Sequence, residues 1–243
     1  MHFHLPKPLH GWREFAGEVG IIVVGVLIAL GAEQVVERIH LQTQTNHARE
    51  SLKAEIGDGY TQAFERRLVH SCLNGQIDRM ESALLGSSSV MNPMPLYKQG
   101  SGGLFVYRAP SRPWGESVWQ NVRAEDVFGN LPEDTRTTLT AYYTQLAYMQ
   151  RMNDEEDNVV GTVMVLSKPV PLDATVKANL IEQLENERRR NDLMDLIASQ
   201  MLYAADEVDA KPDAKTLSEI RSQSGTVKFC NAHGLPISAA SDT

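Results

Sequence analysis

The sequence predicts an all-α protein, in which an N-terminal transmembrane helix continues into an elongated antiparallel helical bundle. Three observations predict this fold class. A long apolar segment lies near the N-terminus, and three long segments carry apolar residues at helical spacing. No proline lies between Phe15 and Leu85, so the anchor can run directly into the first helix of the body. With 243 residues, 42% of them hydrophobic, the chain is long enough to bury a core.

The apolar segment near the N-terminus is the strongest signal in the sequence. The stretch from Val19 to Ala32 has fourteen residues and no polar side chain. Extended to residues 15–36, it is interrupted only by Glu18, Glu33 and Gln34. The hydrocarbon core of a bilayer needs about 20 helical residues, and interfacial carboxylates are tolerated at its edges. We therefore predict a short tail over residues 1–14 and a transmembrane helix over residues 15–36.

Two other interpretations of this segment remain open, a buried helix of a soluble protein and a cleavable signal peptide ending near Ala29. The absence of a polar stripe argues against the first, and the acidic residues Glu14 and Glu18 before the apolar run argue against the second. We favour a single-pass anchor in the bacterial inner membrane.

The charges that flank the span predict its orientation. Lys7, Arg13 and the α-amino group precede it, whereas Arg38 and Arg49 are the basic residues in the fifteen positions that follow Val36. The net charge of −8 belongs almost wholly to the body. We predict a cytoplasmic N-terminus and a periplasmic C-terminal domain.

Residues 37–230 are predicted to form this extracytoplasmic helical domain, followed by a flexible tail over residues 231–243. A long helix continues from the anchor, with an apolar face that steps by four residues: Leu52, Ile56, Tyr60, Phe64, Leu68 and Cys72. The segment 86–113 is rich in Gly, Ser and Pro and is predicted to be a long loop. A second long helix begins after Pro132, and a third follows Asp173, which can cap it.

Two charged runs interrupt the helical segments of the body. They span Asp154 to Asp157 and Glu185 to Asn191. Adjacent positions on a helix fan around its axis and do not converge on one ligand. Both runs are therefore predicted to lie on solvated surfaces.

The sequence carries none of the short motifs that mark common enzymes. Phosphate-binding glycine loops, zinc-protease motifs, CxxC pairs and nucleophile elbows are all missing. We therefore predict no catalytic residue, no cofactor and no metal site. The acidic balance also argues against a nucleic-acid partner, because such proteins carry a basic face.

Cys72 and Cys230 are the two cysteines of the chain, and they form a disulfide candidate. An oxidising periplasm favours pairing of two cysteines. Free thiols and a zinc site with His70 and His233 are the alternatives.

Two sets of residues are candidates for contacts with other molecules. Gly25 and Ala29 are four apart, a small-residue spacing that permits close approach of a second transmembrane helix, and Glu18 lies beside them at the edge of the span. In the body, Trp114 and Trp119 follow the long loop and are predicted to form an interaction surface. We expect the lipid bilayer and either a membrane-protein partner or self-association through the span.

The residues from Trp12 to Glu37 resemble the DUF6090-like group of bacterial single-pass membrane proteins. The matching positions are Gly17, Glu18, Gly25 and the run Leu27 to Leu30, and a looser likeness lies at Trp119 and at Leu139 to Tyr143. The resemblance implies one span followed by an extracytoplasmic helical domain. It implies no activity.

These observations favour a non-enzymatic function. We expect a membrane-anchored scaffold or accessory subunit of a larger inner-membrane complex. The alternative is an extracytoplasmic helical module that binds or senses a small molecule between its helices and acts through a partner.

Overall fold

A computed structural model describes residues 11–98, 102–125 and 127–238, without the side chains of residues 13 and 14. Helix accounts for 77% of this part of the chain, which confirms the all-α fold class. The chain divides into two compact units, Met1–Ala48 and Arg49–Thr243.

Six α-helices and four two-residue strands make up the regular structure of the described residues. The helices are α1 (Trp12–Gly86), α2 (Ser117–Ala124), α3 (Glu133–Val163), α4 (Ala174–Glu207), α5 (Ala214–Gln223) and α6 (Gly225–Ala232). The strands are β1 (Val90–Met91), β2 (Tyr97–Lys98), β3 (Leu104–Phe105) and β4 (Val170–Pro171). Short 3₁₀ helices cover Phe128–Asn130 and Met164–Ser167. β1 pairs antiparallel with β4, and β2 pairs antiparallel with β3.

The first unit contains the predicted transmembrane segment, which lies within α1. The apolar side chains of this segment are exposed, among them Ile21 at 76% and Ile28 at 67%. Among the described residues, the part of α1 from Phe15 onward is the one helix that is long and apolar enough to cross a membrane. An 18-residue stretch of it has a mean hydropathy of 2.3, and 0% of that stretch is buried. A spanning helix stays a prediction on these grounds.

The second unit has a core built from the apolar face that the sequence predicted for its first helix. The six residues of that face, from Leu52 to Cys72, are each at most 3% exposed. Leu139, Leu146 and Met149 of α3 are equally buried. Burying such side chains is worth about 1.5–3 kcal/mol each, so this face contributes substantially to the stability of the fold.

Aspartate side chains cap two of the helices, one of them at the predicted residue Asp173. The carboxylate of Asp173 accepts a hydrogen bond of 2.8 Å from the backbone N–H of Val176, and α4 begins at Ala174. Asp213 caps α5 in the same way through the N–H of Thr216. Both caps satisfy donors that a helix N-terminus leaves unpaired.

α1 and α3 lie side by side in the same chain direction. Glu55 of α1 is hydrogen-bonded to Tyr143 of α3, and Arg66, further along α1, is hydrogen-bonded to Glu156, further along α3. The residue numbers of the two helices therefore increase in the same direction. The predicted antiparallel bundle is therefore wrong for this pair. The reason is that the segment between the two helices returns along α1 before α3 begins.

That return is made by residues 105–118, and we call them the return segment. The side-chain amide of Gln76 exchanges hydrogen bonds of 3.0 and 2.9 Å with the backbone of Arg108. Further along, Arg112 pairs with Glu65. The segment 86–113, predicted as a loop from its composition, is thus held against α1 over its second half.

α4 runs antiparallel to α1. Arg67 of α1 pairs with Asp195 of α4, whereas Asp78 of α1 pairs with Arg188. The residue numbers along α4 therefore decrease as those along α1 increase, which agrees with the antiparallel arrangement predicted for this pair of helices.

The C-terminal tail predicted to be flexible from residue 231 packs against the body over its described part. The backbone N–H of Ser238 donates to the carbonyl oxygen of Leu68 at 2.9 Å, and Leu235 is only 6% exposed. The prediction is wrong for residues 231–238, because this segment covers apolar surface of α1. Residues 239–243 lie outside the described residues.

Candidate functional site

Five polar side chains meet in the core where the three long helices and the return segment come together. They are Arg66 of α1, Tyr107 of the return segment, Glu156 of α3, and Glu187 and Asn191 of α4. Each is at most 2% exposed. We call this group the buried ionic cluster, and it is the strongest candidate for a functional site.

Arg66 organises the cluster through its planar guanidinium group. Its two terminal nitrogens donate to the two carboxylate oxygens of Glu156, at 2.7 and 2.8 Å. One of them also donates to the side-chain oxygen of Asn191. This parallel fork is the strongest geometry that an arginine and a carboxylate can form.

Asn191 links the ion pair to the return segment. Its amide nitrogen donates to the hydroxyl oxygen of Tyr107 at 3.0 Å, and it also reaches the side-chain oxygen of Asn74 at 3.3 Å. The Tyr107 hydroxyl donates in turn to Glu187 at 3.5 Å. Burial, followed by the charges of Glu156 and Glu187, raises the pKa of Tyr107, which therefore remains a neutral donor.

Glu187 lies near enough to Glu156 for the charge of one carboxyl group to act on the other. Burial raises the pKa of Glu187 from 4.5 to about 7, the negative charge of Glu156 adds to the increase, and Arg190 and Arg66 oppose it. Arg190 also pairs with Glu187 directly and with Glu155 at 3.3 Å. The side chain of Arg190 is 16% exposed, so it lies at the edge of the cluster next to solvent.

The burial of Glu156, Glu187 and Asn191 corrects the prediction that both charged runs are solvated. One member of the first run and two of the second point into the core. Their positions continue the buried stripes of their helices, which step alternately by three and four residues. In α4 the stripe is Leu180, Leu184, Glu187, Asn191, Met194, Ala198, Met201 and Ala205.

The same stepping in α3 and α1 marks the other buried charges. In α3 it runs through Leu139, Tyr142, Leu146, Met149, Asn153 and Glu156. In α1 it passes from Leu52 and Ile56 through Ala63 to Arg66. The position of a charged residue on an apolar stripe was thus the feature of the sequence that could have indicated its burial.

Trp114 and Trp119 do not form the predicted interaction surface, because the structure buries both. Their exposed fractions are 7% and 5%. The ring of Trp119 stacks on Tyr143 with centroids 4.5 Å apart and an angle of 4° between the planes. The indole of Trp119 instead packs α2 against α3, and the backbone oxygen of Trp114 accepts a hydrogen bond of 2.6 Å from the side chain of Gln150 in α3.

Cys72 and Cys230 are joined by a disulfide bond in the structure, which links α1 to α6. Both cysteines are fully buried. His70 pairs instead with Asp192 at 2.8 Å, and the ring of His233 lies against Tyr97, with centroids 4.7 Å apart. In the described part of the chain, no group of three His, Cys, Asp or Glu residues is arranged to hold a metal ion.

Glu18, Gly25 and Ala29 are exposed on the first unit. A methyl group placed on Gly25 would meet nothing within 4 Å. Contacts of these residues with a second helix stay a prediction.

A surface cleft of about 540 Å³ lies between α1, the return segment and α5. On its floor, Glu65 is 3% exposed and accepts hydrogen bonds from Arg112 and from the hydroxyl of Ser224. Gln62, Thr216 and Glu219 add polar side chains to a lining that also includes Pro113 and Ile220.

The geometry of the buried ionic cluster limits what it can do chemically. Its five side chains are closed to solvent, so a substrate has no access to the carboxyl pair or to Arg66. The cluster can cross-link α1, α3 and α4, and it can bind or release a proton through Glu187.

No protein-family model, no curated protein and no solved structure matches this chain. The resemblance to the DUF6090-like group rests on the quoted residues of the span and stays a prediction.

Proposed function

We propose that this protein is a membrane-anchored, non-enzymatic scaffold or accessory subunit of a larger complex in the bacterial inner membrane. The observation that carries the proposal is the exposed apolar surface of α1 between Val19 and Val36. Monomeric soluble proteins rarely expose an apolar patch of this size. A bilayer would cover it, since about 20 helical residues span the hydrocarbon core.

The proposed orientation has the N-terminus in the cytoplasm and the body in the periplasm. The charges that flank the span support it, as does the disulfide between Cys72 and Cys230. Disulfides persist in the oxidising periplasm and are rare in the cytoplasm.

The body is proposed to be a rigid helical bundle that the span attaches to the membrane. Its polar cluster is sealed inside and ties the long helices together, which supports a structural role over turnover of a substrate. The buried position of Trp114 and Trp119 excludes them as the contact, so partner binding is assigned to the span.

A second candidate function is binding of a small molecule in the periplasm. The cleft above Glu65 favours it, because its volume and its mixed polar and apolar lining suit a small molecule. Native mass spectrometry of the purified protein tests this candidate. A retained small molecule that Glu65→Gln removes would support it.

Co-purification from membranes in a mild detergent tests the proposed function. The tagged wild type should bring down a defined membrane-protein partner or a second copy of itself. Gly25→Leu and Ala29→Leu should abolish this association without preventing insertion, because leucine is favoured in the membrane but blocks close helix approach. Val23→Leu, on a different side of the helix, is the matched control.

Three outcomes would count against the proposal. If both leucine variants retain the partner, the span is a passive anchor. If no partner is recovered with any variant, the accessory-subunit proposal fails. Alkaline phosphatase fused after the last residue should be active if the body is periplasmic. A fusion protein that is stable but inactive would show that the proposed topology is reversed.

A further inference from the structure

We propose that residues 233–238, which we call the strap, control the access of thiol reductants to the disulfide between Cys72 and Cys230. The inference goes beyond the proposed function and does not depend on it. It rests on the path of the strap, which follows the side of α1 that carries Cys72. In the structure the strap is closed, and both cysteines are 0% exposed.

The strap follows one stripe of α1. The stripe steps by four, three and four residues, so its members share one side of the helix: Leu68, Cys72, Gly75 and Arg79. At one end, a side-chain nitrogen of Arg79 donates to the carbonyl oxygen of His233 at 2.9 Å. At the other end, the backbone N–H of Ser238 donates to the carbonyl oxygen of Leu68 at 2.9 Å. The strap therefore passes Cys72 on its way from Arg79 to Leu68.

Leu235 fills the space between α1 and α6 at the middle of the strap. A methyl group placed on Gly75 would lie 3.0 Å from the end of the Leu235 side chain. The backbone N–H of Leu235 donates to the carbonyl oxygen of Cys230 at 2.9 Å, and only 6% of the residue is exposed. Leu235 therefore closes the approach to the bond from the side of the strap.

Another side of the bond is closed by the return segment. The side-chain nitrogen of Gln76 lies 4.0 Å from the sulfur of Cys72. The same amide group exchanges hydrogen bonds of 3.0 and 2.9 Å with the backbone of Arg108, so the return segment holds it in place. Tyr107, the residue before Arg108, is anchored in the buried ionic cluster. Opening on this side would therefore disturb the core, whereas lifting the strap leaves the cluster intact.

The strap has the features of a segment that opens locally. His233, Gly234 and Pro236 are exposed, and Leu235 is its one buried residue. Gly234 adopts a φ of 61°, which glycine reaches without the steric strain of other residues. Segments with few buried apolar contacts open at a small part of the global free energy of unfolding. Rotation about Gly234 would lift the strap while α6 stays bonded to α1.

Reduction of the bond below the open strap is a thiol–disulfide exchange. A thiolate of dithiothreitol attacks one of the two sulfurs, and the other sulfur leaves and takes up a proton. The second thiol of dithiothreitol then displaces the first protein sulfur, which is protonated in turn. Dithiothreitol is thereby oxidised to its cyclic disulfide, and both cysteines become thiols. The strap sets the rate of the first step, because the attacking thiolate must reach a sulfur atom.

The rate of reduction by dithiothreitol tests the strap on the full chain in detergent. The reaction is stopped by alkylation, and the mass of the protein gives the fraction reduced. Lifting the strap exposes little surface, so low concentrations of urea should change the wild-type rate by less than about twofold. Reduction through global unfolding would instead accelerate steeply with urea, because the whole core becomes exposed.

Leu235→Ser and Gly75→Val should each be reduced about tenfold faster than the wild type, or more, in the absence of urea. Leu235→Ser removes the one buried side chain of the strap. Gly75→Val fills the space that Leu235 occupies, and it does not weaken α1, because valine has a better helix propensity than glycine. The exposed Lys228→Ala on α6 is the matched control and should be reduced at the wild-type rate.

A wild-type rate that rises steeply with urea would overturn the proposal, because reduction would then require the whole protein to unfold. So would a rate equal to that of the wild type in either Leu235→Ser or Gly75→Val. Equal acceleration in Lys228→Ala would also overturn it, since the effect would not be specific to the strap.

Discussion

Arg66 and Glu156 join α1 to α3 through two hydrogen bonds of 2.7 and 2.8 Å, with their side chains 3% and 1% exposed. The pair lies 90 positions apart in the sequence. It fixes the relative register of two helices that run in the same direction.

Arg66→Met should lower the free energy of unfolding by about 3–5 kcal/mol, because it leaves Glu156 as an uncompensated buried charge. Denaturant unfolding followed by circular dichroism measures the loss. The control is Arg67→Met, whose partly exposed pair with Asp195 should be worth about 1 kcal/mol or less. An equal loss in both variants would contradict the prediction. The double replacement of Arg66 and Glu156 by Met should recover much of the stability, since no charge is then stranded.

Gly59→Ala should destabilise the protein despite the better helix propensity of alanine. A methyl group at Gly59 would overlap the hydroxyl oxygen of Tyr142, so the buried Tyr142 side chain or one of the two helices would have to move. The matched control is Gly161→Ala in α3, where a methyl group meets nothing within 4 Å. That variant should gain about 0.5–1 kcal/mol. Thermal unfolding of the two variants should therefore shift in opposite directions, and a stabilised Gly59→Ala would show that the helices are not in close contact there.

Glu55→Ala should weaken attachment of α2 to α1 and lower stability by about 1–3 kcal/mol. Its carboxylate accepts hydrogen bonds from the backbone N–H groups of Val118 and Trp119, at 2.8 and 3.2 Å, and from the hydroxyl of Tyr143 at 2.6 Å. Tryptophan fluorescence should report the change, because Trp119 stacks on Tyr143. The exposed Glu50→Ala serves as the control, and an unchanged spectrum in Glu55→Ala would count against this anchoring role.

Replacement of Cys72 and Cys230 by alanine should destabilise the protein by about 4–5 kcal/mol in the chain-entropy model, because the bond closes a loop of 158 residues. The bond itself is tested on the wild type. Mobility on non-reducing and reducing gels, after thiols are blocked at lysis, should differ. If alkylation with and without reductant gives the same mass, the two cysteines are not joined by a disulfide.

Local patterns in the sequence predicted the helices well, because capping and burial act over a few residues. Asp173 caps α4 as predicted, and the face from Leu52 to Cys72 lies in the core. The direction of α3 relative to α1 was not predictable in this way. It depends on where the return segment binds, and contacts such as Gln76 with Arg108 have no periodic signature.

The sequence did not predict the buried ionic cluster, because its acidic members lie within runs of charged residues. Glu156 stands among acidic residues, and Glu187 among charged ones, so each run looks solvated. The stepping by three and four residues assigns them to the core stripe instead. A polar residue on such a stripe costs free energy unless it finds a partner, so its presence there is itself informative.

The shared direction of α1 and α3 has a consequence for the order in which a newly made chain folds. α3 and α4 are consecutive and can associate as soon as both leave the ribosome, whereas α1 must wait for a closure that spans 90 residues to reach Glu156. The apolar face of α1 is therefore complete before the helices that cover it have been synthesised. During that interval Cys72 is an unpaired thiol, and it stays open to incorrect partners until Cys230, near the end of the chain, arrives.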